Sequence, residues 1–314
     1  MKKLYIVDLF KNLIHNKNVF ALIYLAMNLF IVCACFYYVL GQQFDAILIG
    51  LLIYIVSALV GLSPIGEWFL RRSHGCISVK KYKDKYAAAR LTALFEEVRA
   101  AANANSVEVR EMGKISLFIQ DSDDLNAFAV GRKTICVTSA LFSLPDEEIK
   151  AILGHELGHL ATHDTDLLLL ISTGNFMVTA IVTIIKVVIW LIKGLFTVIS
   201  WFCGNAGGIV RFFTNLTSFL SLVTVNVIMF IWTKIGIWMV MKTSRDAEFA
   251  ADAFSCRLGY ANGMLSFFRK LYAMEPHHSV KKGADLFSAL SASHPKTELR
   301  IKKVEEFKSL SKAA

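Results

Sequence analysis

His155-Glu156-Leu157-Gly158-His159 is the stretch on which the reading of this chain turns. Residues at i and i+4 share one face of a helix, so both imidazoles can reach one ion at roughly 2.0–2.1 Å. Glu156 sits a step around the helix, where it can contact a water held by the ion rather than the ion itself. This is the arrangement of a zinc site that activates water. Ala151, Ile152, Leu153, Leu157 and Leu160 would bury the helix in a core. The competing reading, a core helix with two histidines by accident, leaves the adjacent carboxylate unexplained.

Two histidines do not complete such a site, because a catalytic zinc normally has three protein ligands and one open position. His163 lies one turn further on, but three histidines along a straight helix span about 12 Å and cannot share one ion. Glu248 is the better third ligand. It stands in Ser244-Arg245-Asp246-Ala247-Glu248-Phe249-Ala250-Ala251-Asp252, a segment that reads as helix with Glu248 and Asp252 on one face. Asp252 would then accept the free N–H of a liganding imidazole. Alone, that pair reads as a solvated helix face; a zinc ion short of one ligand reverses the reading.

The 314 residues are 55% hydrophobic and carry a net charge of +9, with mean hydropathy +0.51. That is more apolar than an ordinary soluble domain, and the excess is gathered in long runs, so the chain reads as a membrane protein. Roughly 150 to 200 residues remain outside the runs, enough for one compact domain. The basic residues cluster beside apolar segments, with no dense stripe interleaved with aromatics. They therefore mark membrane topology and lipid headgroups, not nucleic acid. None of the six cysteines forms a C-x-x-C pair, which argues against a disulfide framework or a cysteine zinc site.

Two apolar runs, at about 19–40 and 46–64, approach the roughly 20 residues a crossing needs. Lys2, Lys3, Lys11 and Lys17 precede the pair, and Arg71, Arg72, Lys80 and Lys81 follow it. The loop between them holds neither Lys nor Arg, so both flanks are expected in the cytoplasm. A cleaved signal peptide is the competing reading of the first run, but the run is long and lacks an A-x-A-like site. Lys81 to Ala102 reads as an amphipathic helix. Short β-like runs follow at Ile115–Ile119, Ala127–Val130 and Thr134–Thr138. A helix is expected from about Ser143, with Ser143 and Asp146 as a capping pair. Residues 167–241 are again apolar and are expected to form a hairpin, one crossing within 167–203 and the other at about 216–240. Lys186 leaves the first crossing's limits open. An even number of crossings is required if Glu248 is to meet His155 and His159 on one side of the bilayer.

These ordered motifs resemble the HtpX-type membrane zinc metalloproteases, relatives of the CAAX prenyl proteases. The resemblance rests on the paired spans, Asn126-Ala127-Phe128-Ala129-Val130-Gly131, the His155–His159 helix, the hairpin, Ser244–Asp252, and His294-Pro295 followed by Arg300-Ile301. Many relatives have a second proline after the histidine; this chain has one. The resemblance implies a mainly α protein with a small β-sheet and about four transmembrane helices. It places the spans within 1–66, the first part of a zincin-like protease domain at 67–166, the hairpin at 167–241 and the second part at 242–314. It also implies one Zn2+ per chain on His155, His159 and Glu248, Glu156 as base, and Asp252 behind the ligands. The substrates it implies are misfolded or damaged membrane proteins, and the site an inner membrane with the protease domain facing the cytoplasm. Asn126, Ala127, Phe128 and Ala129 are expected to form an edge strand that receives extended peptide. His294 or Arg300 is expected to stabilise the transition state, His294 being preferred. Two alternatives stand beside this reading: a CAAX-type prenyl-protein protease with the same zinc chemistry, and a catalytically silent membrane scaffold or transporter with a structural zinc. Substrate identity, cleavage preference and oligomeric state are open at this level.

Overall fold

A computed structural model describes residues 18–105, 112–274 and 296–313. The first two helices are α1 (Val19–Val39) and α2 (Phe44–Gly61). Their lengths, about 31 and 27 Å at 1.5 Å per residue, match the ~30 Å hydrocarbon core of a bilayer. The tight turn between them uses positive φ at Gly41 and Gln42. Lys2, Lys3, Lys11 and Lys17 lie outside the described residues.

Helix α3 (Pro64–Ser73) follows at once. Ser63 accepts a hydrogen bond from the Ile65 N–H, Pro64 opens the first turn, Glu67 lies in that turn and Arg71 and Arg72 close the last one. Each choice favours a helix at that position. Ile65, Trp68 and Phe69 are exposed, whereas Glu67 is buried. An apolar and aromatic outer face beside basic residues suits a helix lying in the membrane interface.

The soluble part begins with β1 (Ile77–Ser78) and α4 (Lys85–Ala104). The helix starts later than Lys81 because Asp84 accepts from the backbone N–H of Tyr86 and Ala87, and residues 79–81 form a 3-10 turn. Strands β2 (Ser116–Gln120), β3 (Ala127–Val130) and β4 (Thr134–Thr138) complete a sheet of order β1-β2-β4-β3. β2 and β4 are parallel and the other pairs antiparallel, with Ala127 opposite Val137 and Val130 opposite Thr134. β3 is an edge strand. One sheet face, including Ile119, Ile135 and Val137, packs into a core with Leu91, Leu153 and Phe268.

Helix α5 (Asp146–Thr162) carries the two-histidine motif. Its N-cap is Pro145, not Ser143. Ser143 instead ends a 3-10 turn and donates to the Ala140 carbonyl, so the capping pair expected from the sequence does not form. Asp146, Glu147 and Glu148 fill the first turn, where the helix dipole favours negative charge. His163, at φ 60°, turns the chain into α6 (Asp164–Phe202), and α7 (Gly207–Ser255) returns. At about 58 Å, α6 is nearly twice a perpendicular crossing. It keeps close to the expected 167–203, whereas α7 runs past 216–240 at both ends. Among the described residues, four helices are long and apolar enough to cross a membrane. Lys186 donates to Asn226 Oδ1 at 2.6 Å, tying α6 to α7. Gly236 leaves room for the Tyr24 ring, 2.6 Å from where a Cβ would stand, and Tyr24 donates to Asn175 Oδ1 at 2.9 Å. α7 continues through residue 241 without a break.

A π turn (Cys256–Tyr260) leads to α8 (Ala261–Met274), and α9 (Thr297–Ala313) packs beside it. Gly263 touches α5 so closely that a Cβ would collide with the Glu147 carbonyl oxygen. Gly263→Ala should therefore cost about 1–3 kcal/mol, read as a lower unfolding midpoint of the detergent-solubilised protein.

Candidate metal centre and active site

Small residues let α5 and α7 approach. A Cβ at Gly158 would lie 3.0 Å from Ala251 Cα and 3.1 Å from Phe254 Cβ. Two turns earlier on α5, Ser255 donates to the Ala151 carbonyl at 2.8 Å. This crossing brings Glu248 to the two histidines. The Nε2 atoms of His155 and His159 are 3.1 Å apart. Glu248 Oε2 lies 3.6 Å from His155 Nε2, and Oε1 lies 3.4 Å from His159 Nε2. Ligands at about 2.1 Å from a tetrahedral ion stand about 3.4 Å from one another, so the three side chains fit a single small cation. They form one group able to hold a metal.

Behind this triad, His155 Nδ1 is 2.8 Å from Asp252 Oδ1. That contact keeps the N–H on Nδ1 and directs the Nε2 lone pair toward the other ligands. Arg300 grips the same carboxylate with both sides of its fork, Nε to Oδ2 at 2.8 Å and Nη2 to Oδ1 at 2.6 Å. Its Nη1 is 3.4 Å from Glu248 Oε2, and its guanidinium stacks on Phe268 at 4.3 Å. Burial acts to raise the Asp252 pKa, but the Arg300 charge, its hydrogen bond and His155 outweigh it and hold the carboxyl at about 2. A depressed carboxyl pKa stabilises the fold above its unfolded value, and that stabilisation is lost as pH falls through about 2; Asp252 is thus anionic across the neutral range. Asp252→Asn should weaken metal binding about 10–100-fold, measured by competition with a chelating dye.

Glu156 is buried and faces a cavity of about 70 Å3 with Asn126, Ala127, Met264, Phe268 and Arg300 in its walls. The edge strand thus begins beside the carboxylate. Thr138 donates its N–H to the Asn126 carbonyl at 2.9 Å, so Asn126, Phe128 and Val130 turn their backbone groups toward β4. By the antiparallel alternation, Ala127 and Ala129 turn theirs to the open edge. The side chain of Ala129 is in the core and the Phe128 ring meets His74 on the opposite face, 5.8 Å between centroids. The four residues named from the sequence therefore offer mainly backbone. His294, His277 and His278 lie outside the described residues. His163 contacts Asp166 at 3.4 Å, away from the triad. The sequence offered Arg300 as an alternative to His294 for stabilising the transition state; in the structure its fork is engaged by Asp252, and nothing in its local spacing reveals that contact. The cavity walls contributed by α8 carry no signal beyond helical apolar periodicity.

Membrane-spanning helices, a largely buried His-His-Glu triad and a carboxylate beside it define a membrane metallopeptidase. Residues 87–308 match Peptidase family M48, and the chain belongs to that family. It is 26% identical to Protease HtpX of Tolumonas auensis over 258 residues, 78% of this chain and 81% of that one. It is 30% identical to the Protease HtpX homolog of Nitrosomonas eutropha, covering 68% and 70% of the two chains. With the homolog from Lactobacillus acidophilus it shares 31% identity over 60% of this chain and 66% of that one. The protein is a multi-pass membrane metalloprotease that hydrolyses peptide bonds.

Proposed function

We propose that this protein is a zinc endopeptidase of the bacterial inner membrane that cuts misfolded or damaged membrane proteins from the cytoplasmic side. In this reading His155, His159 and Glu248 hold one zinc ion, Glu156 is the general base and Asp252 orients His155. The observation that carries it is the convergence of three side chains, their nearest ligand atoms 3.1–3.6 Å apart, with the Glu156 carboxylate beside them. Zinc in such a donor set supplies Lewis acidity and makes water nucleophilic near neutral pH. Glu156 takes the proton of the attacking water and hands it to the departing amine nitrogen. Ala127 and Ala129 pair with the substrate backbone and hold it extended, which favours unfolded segments over any fixed sequence. His294, from the sequence, is the candidate donor to the developing oxyanion. Arg71, Arg72, Lys80 and Lys81 after α2, and Arg245 near the end of the hairpin, support a cytoplasmic catalytic domain.

Purification without metal, followed by zinc titration against an unfolded membrane protein, tests this reading. Cleavage should rise with zinc to one equivalent per chain. A prenylated peptide cut in preference to the unmodified membrane protein would contradict it.

A further inference from the structure

The edge strand β3 has two ends in different surroundings. At one end, Asn126 and Ala127 line the cavity that holds Glu156. At the other, the β3–β4 turn is fastened to the bases of the membrane helices. Thr165, at the start of α6, donates to the Gly131 carbonyl. Arg132 Nη2 reaches the carbonyl of Leu62, just past α2, at 3.3 Å. The Arg132 N–H donates to the buried Glu67 carboxylate of α3 at 2.9 Å, and Arg71 bridges Glu67 Oε2 at 3.4 Å and Thr134 Oγ1 at 3.0 Å. The Val130 side chain packs on Leu169, with Leu62 and Leu70 beside them. Gly131 takes φ 60°, and a Cβ there would strike Glu67, so the turn fits flush against α3. The outer face of that helix presents Ile65, Trp68 and Phe69, side chains suited to the lipid interface. β3 thus runs from the membrane surface to the catalytic carboxylate.

We infer that this enzyme measures from the bilayer, cutting anchored chains at bonds roughly four to eight residues from the point where they leave the membrane. From Gly131 to Ala127 is four residues, about 13 Å of strand. A substrate paired with Ala127 and Ala129 advances by the same rise per residue. A chain that emerges beside α3 therefore reaches Glu156 after a short extended stretch. The substrate class is a membrane protein with an unfolded segment directly at the bilayer; distant loops reach the site only by bending back. This inference rests on the peptidase reading of the site.

The test uses the zinc-loaded full chain in liposomes with a substrate of one apolar span and a long linker built from one repeated cassette. Every register of that linker offers the same bond, and fragment masses give the cut position. Cuts should cluster within the first few residues after the span. Inserting an extra cassette next to the span should leave the position, counted from the bilayer, unchanged. Cuts spread evenly along the linker, or displaced with the insertion, would overturn the inference. No cleavage of the linker or of an unfolded soluble polypeptide would instead overturn the peptidase reading. Glu67→Gln and Thr165→Val each loosen the turn and should widen the spread of cut positions at least about twofold while cleavage continues. Unchanged positions in both folded variants would refute the brace; if neither folds, the parent's cut positions alone decide.

Discussion

The Glu156→Gln protein should bind metal as the parent does and cleave about 10²–10⁴-fold more slowly. Glu156 is not among the three converging ligands, so an amide of the same shape leaves the triad intact. It also keeps the packing of a residue that is 4% exposed. What would disappear, on the proposed role, is the acceptor for the proton of the attacking water. Metal content by elemental analysis and turnover on an unfolded membrane protein separate the two effects. A variant with parental turnover would remove Glu156 from the chemistry. A variant that also lost its metal would make Glu156 a ligand or a structural group.

Glu248→Ala should fail differently. On the proposed ligand set, this change would leave two imidazoles on one helix and remove α7's bond to the ion. Metal affinity should fall by more than the roughly 10–100-fold expected for a supporting residue such as Asp252, and cleavage should reach background. Arg300 loses a contact 3.4 Å away but keeps both bonds to Asp252, so the fold should persist. Isothermal zinc titration beside thermal unfolding checks this. Together the variants distinguish two roles for carboxylates in one site: Gln at 156 keeps the ion and loses the rate, whereas Ala at 248 loses both.

The site was legible in the sequence because its geometry is helical on both sides. An i, i+4 histidine pair and an i, i+4 Glu-Asp pair each fix one face, and a metal short of one ligand gives them a reason to meet. The three longer strands stand near their expected limits because turn residues bound them. β1 was invisible because two residues, Ile77 and Ser78, give no alternation to read. The start of α5 was misplaced because Ser143 satisfied a capping pattern that Pro145 took over, while Ser143 bonded backward to Ala140. The length of α7 escaped because hydropathy marks where a helix is apolar, not where it stops. Lys186 looked like an interruption until Asn226, forty residues on, supplied its partner. Arg300 shows the same limit: its partner Asp252 is 48 residues away, and no local pattern announces the pair.

X-ray absorption at the zinc edge of the loaded protein tests the central claim most directly. Convergence of α5 and α7 predicts a shell of nitrogen and oxygen at about 2.0–2.2 Å with the outer-shell scattering of two imidazoles. A third imidazole, or sulfur at about 2.3 Å, would mean that the ion is held by a different set of residues and that Glu248 is not its third ligand.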